Sequence, residues 1–142
     1  MGHPVKVTVL AVGRVKAPFE DAQAHYLKML GSKQRVEVVE VKDGAGLVRR
    51  VGERERVVCL DGRGRMMDSI EWSGWLEGRR LEARDVVIAI GGAEGLPDEM
   101  LERADEVISL GPQTIAHQLA RIVLLEQLFR ATRILAGEPY HL

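Results

Sequence analysis

Along the chain, short solid runs of hydrophobic residues alternate with spaced, helix-compatible patterns. The run 5–12 (VKVTVLAV) is apolar and β-branched and closes at Gly13, which predicts a buried strand. Over 18–30, Phe19, Ala22, Tyr26, Leu27 and Leu30 fall at helical spacing, and Gly31 supplies a common helix stop. A second strand is predicted over 36–41, V-E-V-V-E-V, with an acidic outward face. Between 42 and 55 the chain is rich in glycine and charge and holds at most a short helix near 47–51.

The apolar run 57–60 predicts a third strand, broken by Asp61-Gly62-Arg63-Gly64. Asp68 and Glu71 stand at capping-box spacing, and Ile70, Trp72, Trp75, Leu76 and Leu81 continue as a helix that Gly74 and Gly78 weaken. The fourth strand, 86–90, lies between Asp85 and Gly91-Gly92, and Pro97 opens a helix reaching about Ala104. A fifth strand is predicted over 107–110 and a long helix over 115–136, stopped by Gly137 and Pro139.

This alternation predicts an α/β fold, a mainly parallel sheet flanked by helices, in one domain spanning 1–142. Ligands of parallel sheets bind beyond the carboxyl ends of the strands. Three such ends carry unusual chemistry and are predicted to share one pocket: Leu60-Asp61-Gly62, Gly91-Gly92-Ala93-Glu94-Gly95, and Leu110-Gly111-Pro112-Gln113-Thr114.

Composition narrows the classes. With 20 Lys+Arg against 21 Asp+Glu, the net charge of −1 excludes a polybasic protein that coats nucleic acid by charge alone. The balance is uneven along the chain: residues 1–84 carry 16 basic and 12 acidic groups, a net of +4, and residues 85–142 carry 4 and 9, a net of −5. One cysteine, Cys59, allows no internal disulfide, and no Cys/His cluster has zinc spacing, so no metal is expected. No apolar run approaches the roughly 20 residues of a membrane span, and no signal-type segment opens the chain, so a cytoplasmic protein without membrane contact is expected.

Candidate chemistry sits mainly at the strand ends. Gly91, Gly92 and Gly95 would let backbone approach a nucleoside closely, or form an ordinary turn; they match neither the dinucleotide nor the P-loop fingerprint. In 109–114, Gly111-Pro112 leaves main-chain groups unpaired that suit an adenine edge, unless this is a plain strand-to-helix loop. His117 and Arg121 stand four apart on one helix face; His117, near the helix N-terminus, would act as a neutral group or cap the helix, and Arg121 would hold a phosphate or pair with Glu126 or Asp105. Arg49, Arg50, Arg54, Arg56, Arg63 and Arg65 form a local +3 segment that would track a phosphate backbone or remain a solvated surface. The long final helix is apolar over a broad surface and is expected to lie partly in a subunit interface that Trp72 and Trp75 join. At the end, Tyr140 can stack on a base and His141 can accept a proton near neutral pH.

In order, Val9-Leu10-Ala11-Val12-Gly13, Leu60-Asp61, Ile90-Gly91-Gly92-Ala93-Glu94-Gly95-Leu96, His117-Gln118-Leu119-Ala120-Arg121 and Pro139-Tyr140-His141 resemble the ribosomal large-subunit (23S) RNA pseudouridine N3-methyltransferases of the RlmH type, minimal members of the SPOUT class. The resemblance spans essentially the whole chain. It implies a C-terminal trefoil knot, an exception to the rule that chains do not knot, and a homodimer that methylates N3 of a pseudouridine on the assembled ribosome. S-adenosylmethionine would contact Leu60, Gly91, Leu110, Gly111, Pro112, Gln113, Thr114 and Ile115. Tyr140 and His141 would act on the base, with His117 and Arg121 positioning substrate or tail. Leu142 stands where members commonly carry a basic residue. The alternatives are a SPOUT methyltransferase for a tRNA or another rRNA nucleoside, and a ribosome-binding module without turnover.

Overall fold

A computed structural model describes residues 4–139. Strands and helices alternate throughout: β1 (Lys6–Val12), α1 (Phe19–Leu30), β2 (Arg35–Val41), α2 (Gly44–Arg50), β3 (Arg56–Met66), α3 (Ser69–Glu82), β4 (Val86–Ile90), α4 (Asp98–Arg103), β5 (Glu106–Ser109) and α5 (His117–Leu135). The five strands form one parallel sheet in the order β2-β1-β4-β3-β5. Central β4, Val-Val-Ile-Ala-Ile, is buried along its whole length, as a strand covered on both faces must be.

Side-chain alternation sorts the core into two layers. Val7, Val9, Val58 and Ile88 face α1, α3 and α5, packing with Leu30, Trp72, Leu76 and Leu124. Leu10, Val57, Cys59, Val87 and Ala89 face α2 and α4, packing with Leu47 and Met100. The connection after β4 therefore leaves on the α2/α4 side, while those after β1, β3 and β5 leave on the other. Neighbouring strands whose chains depart to opposite faces open a crevice at their carboxyl ends.

Local chemistry explains the element boundaries. Asp68 accepts a 2.8 Å hydrogen bond from the Glu71 amide while Glu71 Oε1 accepts one of 3.0 Å from the Asp68 amide, so the capping box opens α3 as its spacing predicts. Gly31 ends α1 at φ +43°, in the left-handed region that favours glycine.

Three expectations are corrected. First, Asp61–Gly64 does not end β3: the chain bulges out between Leu60 and Arg65, which both align with Ile108, and then resumes pairing with β5 through Met66. Gly64 permits this return, because a Cβ there would lie 2.6 Å from the Val107 carbonyl and the Ile108 amide. Second, β2 has no single acidic face: Glu37 and Glu40 are three residues apart and point to opposite sides of the sheet. Glu37 pairs with Lys6 at 3.3 Å, whereas Glu40 turns toward α5. Third, Trp72 and Trp75 are buried edge-to-face at 5.5 Å within the core and are not available to a subunit interface.

Candidate functional site

The bulge of β3 and the loops after the parallel strands β4 and β5 lie at one end of the sheet, and they line a cavity of about 370 Å³. That volume lies within the range of small-molecule sites, about 300–1,000 Å³. Leu60, Asp61 and Gly62 form one wall; Ile90, Gly91 and Gly92 the floor; Leu110, Gly111, Gln113, Thr114 and Ile115 the opposite wall. His117 and Ala120 close it from the first turn of α5. The three predicted segments thus meet at one pocket, although the first is a bulge within β3 rather than its end.

Backbone chemistry dominates the lining. A Cβ on Gly91 would stand 2.6 Å from the Gly95 carbonyl oxygen and 2.7 Å from the Leu96 amide nitrogen, so no other residue fits without moving that turn. Ser109 Oγ donates to the Gly111 carbonyl at 2.8 Å and accepts from the Gly111 amide at 3.1 Å, folding the loop back at Gly111 φ +134°. Among the described residues no hydrogen bond engages the amides of Gln113, Thr114 and Ile115, which leaves them available to a ligand.

Titratable groups are few in the lining. Asp61 accepts from Arg63 Nε at 2.8 Å, Arg63 Nη2 at 3.1 Å and the Arg63 amide at 2.9 Å; these bonds hold its carboxyl below the usual range, so it is ionised. Cys59, next to Leu60, is no nucleophile: burial, with the Asp61 carboxylate adding to it, pushes its thiol up to about 11. Among the described residues no cluster of three His, Cys, Asp or Glu could hold a metal, and no helix is long and apolar enough to cross a membrane. The arrangement can hold a nucleoside-sized ligand between apolar walls and exposed backbone.

Of the candidate residues, Leu60, Gly91, Leu110, Gly111, Gln113, Thr114, Ile115 and His117 line the cavity, and Pro112 belongs to the same loop without lining it. Arg121 is elsewhere. Its side chain is fully buried, 0% exposed, and donates to Glu40 Oε2 at 2.6 Å, Gln23 Oε1 at 3.2 Å and the Gly13 carbonyl at 3.1 Å. The expected partners Glu126 and Asp105 are therefore replaced by Glu40, and a side chain so buried reaches no substrate directly. Tyr140 and His141 lie outside the described residues.

The six arginines between 49 and 65 do not form one stripe. Arg49, Arg50 and Arg54 sit around the entry to β3, at the end of the sheet opposite the cavity, whereas Arg63 and Arg65 follow its cavity end. Arg56 is held between Glu82 at 3.5 Å and Glu106 at 3.3 Å. Sequence reasoning missed Glu40 and Gln118, which with Arg121 fasten the loop after β1. The signal was present in V-E-V-V-E-V, where two acids three apart cannot share a strand face.

Residues 5–141 match the family described as "Predicted SPOUT methyltransferase". A protein of Anaeromyxobacter sp. (strain K) named "Ribosomal RNA large subunit methyltransferase H" is 42% identical, over 96% of this chain and 99% of its own length. Among solved structures, a probable methyltransferase from Bordetella pertussis Tohama I superposes with a TM-score of 0.61 at 15% identity, over 90% of this chain and 95% of that one. The SpoU methyltransferase AviRb from Streptomyces viridochromogenes, in complex with AdoMet, gives a TM-score of 0.53 at 12% identity, over 96% of this chain and 60% of that one. At such identities the two structures speak to the fold alone.

Proposed function

The chain belongs to the SPOUT methyltransferase family, and from that premise we propose that it transfers a methyl group from S-adenosylmethionine to N3 of a pseudouridine in large-subunit ribosomal RNA on the assembled ribosome, in the cytoplasm. The observation that carries this reading is the convergence of the β3 bulge and the ends of β4 and β5 on one cavity whose floor excludes any side chain at Gly91. The residues fit the cofactor: Leu60, Ile90, Leu110 and Ile115 offer apolar walls to an adenosine, the amides of 113–115 are free, and the Gly91 backbone is open to close approach.

Bound there, S-adenosylmethionine supplies an electrophilic methyl, which leaves alignment and removal of the N3 proton to the protein. Leu60 and Leu110 exclude water from the cavity, and Asp61, kept ionised by Arg63, orients polar groups of the ligand. His117, at the start of α5, faces the cavity and positions the nucleotide at its edge. Arg121 acts one step removed, as the anchor of the loop after β1. In this reading Tyr140 stacks on the base, and a ring nitrogen of His141 takes the N3 proton. The C-terminal trefoil knot belongs to the same reading.

Mass spectrometry of nucleosides from ribosomes, free rRNA and tRNA incubated with the protein and S-adenosylmethionine tests it. A methylated pseudouridine from ribosomes is expected; product on tRNA alone would move the substrate, and no product with no calorimetric uptake of the cofactor would favour a ribosome-binding module. His141→Ala is expected to keep cofactor affinity and to lower turnover by about 10². Unchanged turnover on ribosomes would remove His141 from the chemistry.

A homodimer completes the proposal. Leu119 on α5 and Ile70 on α3 are exposed, with Ile122 and Val123 half-buried beside Leu119, an apolar strip that a second copy would cover. Sedimentation equilibrium should give twice the chain mass of 15.8 kDa, and a single-chain mass at micromolar concentration would refute it.

A further inference from the structure

Surface loops are usually loosely held, yet residues 13–17, between β1 and α1, are fastened from two sides. From β2, the Val41 carbonyl accepts the Gly13 amide at 2.8 Å and Glu40 Oε2 accepts the Val15 amide at 2.7 Å. From α5, Arg121 donates to the Gly13 carbonyl at 3.1 Å, and Gln118 donates to the Arg14 carbonyl at 3.1 Å while accepting the Lys16 amide at 2.9 Å. The anchor is a fully buried guanidinium whose Nε has no partner, a costly way to hold a loop if packing alone were required.

What the fastening fixes is the outward side of the loop. Arg14 and Lys16 are exposed, and among the described residues neither is hydrogen-bonded to a carboxylate. Glu40 hydrogen-bonds Arg121 and the Val15 amide and meets Arg14 only through the field of its charge, with no hydrogen bond between the two. Glu20 and Asp21, in the first turn of α1, make no ion pair with either cation. The loop does not line the cavity but adjoins residues that do: Gln118, which fastens it, follows His117 on α5, and a Cβ on Gly92 would touch the side chain of Val12, the residue before the loop. Two exposed cations are thus held on a fixed backbone close to residues that line the cavity. Fixing them in advance lowers the ordering cost of a polyanion contact.

We propose that this loop is a contact for the ribosomal RNA backbone, with Arg14 and Lys16 each meeting a phosphate next to the nucleotide that is methylated. The proposal rests on the RNA-methyltransferase reading. The test is equilibrium binding of the full-length protein to large-subunit ribosomal RNA across a salt series. Arg14→Ala/Lys16→Ala should flatten the slope of log K against log[salt] by about 0.7 to 0.9 for each cation removed. Arg49→Ala/Arg50→Ala removes the same charge from the opposite end of the sheet and should keep the wild-type slope. Gln118→Ala keeps both cations but frees the loop, and should weaken binding severalfold with the slope retained.

Equal flattening in both double variants, or none in Arg14→Ala/Lys16→Ala, would overturn the proposal. Wild-type affinity in Gln118→Ala would overturn the role given to the fastening. The methyltransferase reading fails separately: wild-type protein that binds RNA with the expected slope difference yet forms no methylated nucleoside would refute the reaction and leave the loop contact standing.

Discussion

Gly91→Val is expected to yield a folded chain that no longer takes up S-adenosylmethionine. The added Cβ would meet backbone: the carbonyl carbon of Gly95, its oxygen at 2.6 Å and the Leu96 nitrogen at 2.7 Å. A flexible side chain could swing aside, but these atoms belong to a turn closed by the Gly95 amide donating to the Gly92 carbonyl at 2.9 Å. Moving that turn away also presses on Val12, which already lies within 3.0 Å of where a Cβ on Gly92 would be. Overpacking of this kind costs about 1–3 kcal/mol, small beside the roughly 5–15 kcal/mol of a typical domain. The site does not escape so lightly, since displacing a ligand by about 1 Å can lower turnover some 10²-fold. Calorimetric titration alongside thermal unfolding checks it, with Gly62→Ala for comparison: Gly62 lines the same cavity, but its Cβ would have no atom within 4 Å. A wild-type isotherm for Gly91→Val would refute the close approach of ligand to this backbone.

The same glycines show what a sequence discloses and what it withholds. Apolar runs of period-two or solid character, bounded by Gly91-Gly92 or by the capping pair Asp68 and Glu71, mark the elements because their causes are local. Parallel pairing then follows from alternation, and with it the clustering of the three predicted segments. The bulge at Asp61–Gly64 is a different matter. Two glycines in four residues normally signal a turn, and only the presence of β5 alongside, with its backbone where a Cβ on Gly64 would be, turns a stop into a continuation.

Charges are the least legible, because their meaning depends on partners distant in sequence. Arg121 lies 81 residues from Glu40 and 108 from Gly13, so proximity along the chain proposes Glu126 instead. Six arginines within 17 residues read as one basic surface, but β3 carries the chain from one end of the sheet to the other and separates Arg49, Arg50 and Arg54 from Arg63 and Arg65. The cavity residues, in contrast, belong to continuous loops, and all but Pro112 of those expected to meet the cofactor line it.

Arg121→Leu is expected to destabilise the fold markedly while leaving the cavity able to take up its cofactor. The substitution removes the donor for Gly13 and leaves the Glu40 carboxylate with the Val15 amide as its hydrogen-bond donor and the more distant Arg14 charge. Breaking a fully buried pair costs about 3–5 kcal/mol. The Glu40 side chain is 32% exposed, and water takes up part of the loss, so about 2–3 kcal/mol is expected here.

The pH dependence identifies the cause of that loss. Burial would raise the Glu40 carboxyl, but the Arg121 hydrogen bond, the Val15 amide and the charges of Arg121 and Arg14 outweigh it and hold the carboxyl below the usual 4.5. A carboxyl lowered in the folded state contributes stability above its unfolded pKa and loses it as pH falls through the folded one. Wild type and Arg121→Leu should therefore differ most near neutrality, and the gap should narrow below 4.5 as Glu40 takes up a proton. Urea midpoints at about pH 7 and about pH 3.5 measure it, and an equal gap at both would mean that lost packing, not the ion pair, is responsible. Arg121 does not line the cavity, so cofactor affinity should survive in the folded fraction even as the loop carrying Arg14 and Lys16 loosens. A parallel collapse of cofactor binding would instead mean that the loop after β1 and the cavity are one mechanical unit.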